Sequence, residues 1–154
     1  MNTLRLLSLL GALIAFAAPS VALSTQPPVA KIAAQTDVQV ALDALKLLLS
    51  AYAAGNQGQI ESLVDPAMIG YSRVVDPVRD AGVAQKQVRV SLSDTHTQIS
   101  DDVVIIQTHW EKRFISNPGR RAGQKSGMCT FVLRPDATVW RLSALSGDNP
   151  FGAE

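Results

Sequence analysis

Asp94, Tyr71 and Tyr52 are the side chains of this sequence best suited to acid/base chemistry. A carboxylate enclosed by apolar neighbours is desolvated, its pKa rises, and it becomes a competent base near neutral pH. Asp94 falls on the expected inward face of its strand, and Tyr52 and Tyr71 can line the same cavity. The plainer reading, which we prefer, is that Asp94 caps a turn and that both tyrosines are core residues with hydroxyls satisfied at its rim. Other chemistries have less material. The histidines are His96 and His109 and the cysteine is Cys129, whereas a zinc site takes three or four protein ligands. If Val90 and Trp110 share the inward face, strand alternation sends His96 and His109 to opposite faces. No metal is therefore expected. Cys129 sits in a strand-like run with Met128, Thr130 and Phe131, which favours a buried, inert thiol. No serine lies in a Gly-x-Ser-x-Gly turn; Ser143 and Ser146 belong to the last strand or its edge. The glycines are scattered and form no phosphate-cradling loop, so no cofactor is expected.

A second candidate is electrostatic. Lys112, Arg113, Arg120, Arg121 and Lys125 surround Ser116-Asn117-Pro118-Gly119, with Glu111 as their nearby acid. Concentrated positive charge on a loop can hold a phosphate, a lipid head group or an acidic partner, although most such loops are merely solvated.

Two kinds of element must position these groups. Val38, Ala41, Leu42, Leu45, Leu48, Leu49 and Tyr52 recur at helical spacing after Asp37, a suitable N-cap, and Gly55-Asn56 ends the run. A short helix follows from Gln57 to Val64, stopped by Asp65-Pro66. Residues 67–84 are mixed: a short strand or turn over Met68–Tyr71, then an irregular or helical piece. From Gln85 the period becomes two. Val88, Val90 and Leu92 form one strand, and Val104, Ile106, Thr108, Trp110 and Phe114 a second. Cys129, Phe131 and Leu133 mark a third, and Trp140, Leu142 and Ala144 a fourth. Turns are expected at Ser100-Asp101-Asp102 and Arg134-Pro135-Asp136-Ala137. Helices followed by antiparallel strands with one apolar face give an α+β domain with its helices on one side of the sheet.

The start reads as an export leader. Arg5 precedes an uncharged apolar run from Leu6 to Ala18, broken by Pro19 before it could span a bilayer, and Ser20-Val21-Ala22 suits a signal peptidase. Residues 1–22 are read as a signal peptide, 23–36 as a flexible lead-in, and 37–151 as one domain. Lys and Arg number 14 against 13 Asp and Glu. Arg5 leaves with the leader, so the mature charges balance and no nucleic-acid footprint remains. A single cysteine in an exported domain means no internal disulfide, and the fold must stand on its core.

Ala51-Tyr52-Ala53-Ala54-Gly55-Asn56 with Ile60, Leu63 and Asp65-Pro66 is similar to the opening of nuclear transport factor 2-like (SnoaL-like) domains. Trp110-Glu111-Lys112-Arg113-Phe114 and Val139-Trp140-Arg141-Leu142 resemble their central and final strands. The resemblance implies a cone: a curved antiparallel sheet wrapped around N-terminal helices, with a pocket at the open end. Enzymes of that kind use an Asp or His base, often with a Tyr or second acid on an oxyanion. Asn56 stands where an acid often follows the first helix. Pocket candidates are Tyr52, Met68, Tyr71, Asp94 and Trp110. The expected role is a non-catalytic binding or assembly module of the bacterial periplasm or cell envelope. Its partner would be a small apolar or amphipathic ligand or an envelope protein. An acid/base isomerase, cyclase or dehydratase is the alternative, and self-association through the sheet is a further one. No membrane span is expected after cleavage.

Overall fold

The computed structural model describes residues 28–152. The leader and the first part of the lead-in lie outside the described residues. Three helices, α1 (Pro28–Ala54), α2 (Gln57–Leu63) and α3 (Ser72–Ala84), precede four strands, β1 (Gln85–Ser100), β2 (Val103–Ser116), β3 (Ala122–Asp136) and β4 (Val139–Gly147). The strands form an antiparallel meander in the order β1-β2-β3-β4. The result is a curved, unclosed sheet with helices against its concave face. No helix among the described residues is long and apolar enough to cross a membrane.

The first helix begins well before Asp37, which therefore lies within α1 rather than at its cap. The described part of α1 runs from Pro28. Much of the expected lead-in is thus helical. α2 is capped by Asn56, whose side chain accepts the Gln59 N–H. After α2 the chain grips the sheet: Val64 bridges Leu142, and the Asp65 N–H bonds the Leu142 carbonyl. The stretch read as a strand or turn at Met68–Tyr71 is a turn, and the piece after it is α3.

Pro77 lies inside α3. Its absent N–H leaves the Arg73 carbonyl, four residues earlier, without a helical donor. Asn149 Nδ2, from the segment after β4, supplies one at 2.6 Å. A helix defect is thereby tied to the chain's C-terminal segment.

Alternation on β2 puts Val104, Ile106, Thr108 and Trp110 inward and buried, against Leu45, Leu48, Ile60, Phe131, Leu133 and Leu142. Val90 and Trp140, apolar positions of β1 and β4, are half-buried at the core's margin. The last hairpin turns at Ala137-Thr138, two residues later than expected, because Pro135 still pairs with Trp140 and Asp136 with Val139.

Two irregularities re-aim β1. Pairing slips between Lys86 and Arg89 and between Ser93 and His96, and Gln87 and Asp94 hold left-handed φ of 52° and 49°. Each slip sets two β1 residues opposite one on β2, a β-bulge. The second inverts parity: His96 pairs with Gln107 and His109 with Ser93, so both histidines lie on the outer face. The opposite-face expectation fails because simple alternation does not survive an inserted residue.

Candidate functional site

The deep end of the concave face is apolar, but the other end is not. Continuing along β2, the inward positions after Trp110 are Lys112 and Phe114. Lys112 is 1% exposed. Its ammonium donates to the Tyr52 hydroxyl at 3.1 Å and to the Gly152 carbonyl. The same nitrogen stands 5.5 Å from the Tyr52 ring centre and 5.6 Å from that of Phe114, within cation–π range. Among the described residues no carboxylate pairs with it. Burial is the main cause, and Lys125 directly across the strand pair a second one, that pulls the Lys112 amine down to about 8. Burial pushes the Tyr52 hydroxyl up from its ordinary range.

β3 makes room for this cluster by omission. Its inward positions opposite Phe114 and Trp110 are Gly123 and Gly127. A Cβ on Gly123 would sit 2.5 Å from the Phe114 ring, and one on Gly127 2.5 Å from Asp148 Cβ. Neither site can carry a side chain without moving these groups.

The mouth is filled by the chain itself. Asp148 latches onto the sheet: its N–H bonds the Met128 carbonyl, its carboxylate accepts the Met128 N–H at 3.1 Å, and its carbonyl accepts Trp110 Nε1–H at 3.0 Å. Asn149 accepts the Phe151 N–H through Oδ1 at 2.9 Å. Phe151 is fully buried, edge-on to Tyr52 with ring centres 5.3 Å apart and planes at 87°. Gly152 then delivers its carbonyl to Lys112. Beside this peg, a hollow of about 220 Å³ is lined by Met68, Arg73, Leu145 and Asn149, among others. A smaller one of about 120 Å³ reaches Tyr52 from between α1, α3 and the start of β1.

Of the expected pocket residues, Tyr52 and Trp110 stand at the amine cluster, and Met68 lines the neighbouring hollow. Tyr71 is half-buried just before α3. Asp94 is exposed on its bulge. The five basic residues do not form one loop cluster. Lys112 is inside, Lys125 is half-buried on the same inner face, and Arg113 faces out onto Glu111 at 2.6 Å. Arg120 and Arg121 are exposed on the β2–β3 hairpin, which is pinned to the end of α3 by Asn117 bonds to the Val83 and Ala84 carbonyls. Cys129 is buried, and burial first, then Asp148, pushes its thiol up to about 12. That suits an inert core thiol. No group of acidic, histidine and cysteine residues suited to a metal occurs among the described residues.

No protein-family model and no curated protein matches this sequence. Solved structures do match in shape. A nuclear transport factor 2-like superfamily protein from Salmonella enterica serovar Typhimurium superposes with a TM-score of 0.67 at 11% identity, over 76% of this chain and 93% of that one. The fold is nuclear transport factor 2-like. A candidate dehydratase of the NTF2-like family from Streptomyces avermitilis gives 0.63 at 17% identity, over 72% and 94%. The association domain of C. elegans CaMKII gives 0.59 at 13%, over 78% and 98%. At these identities the likeness describes the fold, and within this NTF2-like cone the chemistry must be read from Lys112 and its neighbours.

Proposed function

We propose that this chain is a non-catalytic binding module whose ligand site is the amine-bearing end of the cone, exported to the bacterial envelope by residues 1–22. One observation carries the reading. A buried ammonium is costly unless paired, and among the described residues Lys112 meets neutral acceptors and aromatic faces. A folded domain that retains such a group gains from it when something negative or strongly polar arrives. The peg of Pro150–Gly152 supplies a minimal substitute. The resemblance of the fold to both a candidate dehydratase and an association domain is compatible with this role.

Acylation of Lys112 tests the site. An amine reagent should modify Lys112 slowly in the native chain and faster in Phe151→Ala, where the peg is weakened. Any member of a panel of small amphipathic compounds that raises Tm should also protect Lys112. The reading fails if Lys112 stays unreactive in a folded Phe151→Ala protein and no compound raises Tm. A second reading, a small enzyme of the isomerase, cyclase or dehydratase kind, is favoured by the lowered Lys112 amine beside the Tyr52 hydroxyl. Conversion of a bound panel member to product, detected by mass spectrometry, would establish it.

A further inference from the structure

The chain's own C-terminal peg describes the ligand it displaces. Phe151 places an aromatic ring edge-on against Tyr52, and the next residue places an acceptor oxygen on Lys112. Ring and carbonyl are joined by a run of five atoms (Phe151 Cβ, Cα and C, then Gly152 N and Cα). The ring position is faced by the Tyr52 ring, and the group at the oxygen position is a cation whose described contacts are all uncharged. We propose that the cone takes an aryl-terminated carboxylate, its ring replacing that of Phe151 and its carboxylate replacing the Gly152 carbonyl on Lys112. The proposal rests on the binding-module reading and adds the ligand's class and orientation.

The exchange is favourable for electrostatic reasons. A peptide carbonyl gives the ammonium a charge-assisted hydrogen bond but leaves its charge uncompensated, whereas a carboxylate forms an ion pair and cancels the buried charge. Lys125, on the same inner face directly across from Lys112, adds positive potential that a neutral carbonyl does not exploit. The exchange requires the peg's Phe151 and Gly152 to leave. Asp148 and Asn149 hold its base through bonds to Met128, Trp110 and Arg73, and those contacts can persist while Phe151 and Gly152 swing out. Because the peg occupies the site, apparent affinity is reduced by the fraction of chains in which it is seated. Weakening the peg therefore tightens the ligand.

The test uses 6-phenylhexanoate, whose five methylenes match the peg's span, with 6-phenyl-1-hexanol as its neutral counterpart. Each is titrated by calorimetry into the native chain, Phe151→Ala and Lys112→Met, with circular dichroism confirming the fold. Phe151→Leu, which keeps the apolar mass, serves if the alanine variant unfolds. The acid should bind at least about tenfold tighter than the alcohol, and added salt should weaken that preference only slightly because the pair is buried. The acid should bind about tenfold tighter again to Phe151→Ala, and the preference for acid should vanish in Lys112→Met. Equal binding of acid and alcohol overturns the carboxylate assignment but leaves the binding module standing. Absence of binding by either compound to a folded peg variant overturns both.

Discussion

The two ends of the concave sheet face follow the same alternation and reach opposite results. At the deep end Val104, Ile106, Phe131, Leu133 and Leu142 close against α1 and α2 with exposures of 0 or 1%. At the mouth the same inward positions carry Trp110, Lys112 and Phe114, opposite Gly127, Lys125 and Gly123. The deep end is sealed by side chains that sit on helices and strands. The mouth is sealed by a short segment anchored to the sheet at Asp148. Burial alone therefore does not distinguish core from site: Lys112 and Phe131 are equally enclosed, but Phe131 is enclosed by helix and strand side chains and Lys112 in part by the segment after β4.

Truncation should separate the ends most clearly. Phe131→Ala opens a cavity that rigid elements cannot close, and should cost about 3–5 kcal/mol in urea denaturation. Phe151→Ala should cost less, about 2 kcal/mol, because the peg can detach and let water reach Lys112. Equal losses at both positions would mean that the peg is core, and the contrast between the ends would collapse.

Much of the deep end is legible in the sequence, and most of the mouth is not. Period-two runs give all four strands, and helical spacing gives the buried stripe of Leu45, Leu48 and Tyr52. The same rule applied strictly places Lys112 inside, between Trp110 and Phe114. Its charge instead suggested grouping with Arg120 and Arg121, since lysine is rarely buried without a partner. Phe151 was the missed signal: a large apolar residue just past Gly147, where the last strand ends. Asp94 misled for a different reason. Its inward parity presumed an unbroken strand, and alternation cannot reveal a bulge formed by non-glycine residues. The link from Asn149 to Arg73 needs a contact across 76 positions, which no local pattern encodes.

Proton linkage sharpens the contrast further. The folded Lys112 amine titrates near 8, below its ordinary value of 10.5. Between those values the unfolded chain holds more protons, so stability rises with pH, by up to roughly 1.4 kcal/mol per pH unit. Tyr52 opposes this only above about pH 10, where the unfolded phenol ionises and the buried one resists. The stability of the native chain relative to Lys112→Met should therefore climb from pH 8 to pH 9.5. At pH 7 the methionine variant should be as stable as the native chain or more so, within about 1 kcal/mol. A loss above about 3 kcal/mol at pH 7 would make the ammonium a structural brace, and the mouth a second core.

The smallest effect should come from Asp94, on the bulge outside both ends. Its φ of 49° is a left-handed conformation, which strains a side chain other than glycine, aspartate less than most. Asp94→Gly removes that strain but gives the unfolded chain more freedom to lose on folding. The two changes nearly cancel, leaving a net gain of no more than about 0.5 kcal/mol. Asp94→Asn, which keeps the shape and removes the charge, should stay within about 0.5 kcal/mol of the native chain. It should also leave the Lys112-dependent preference for 6-phenylhexanoate unchanged, because the residue is exposed. A tenfold loss of that preference in Asp94→Asn would return the carboxylate to the site. It would also mean that β1 closes over the mouth when the peg is out.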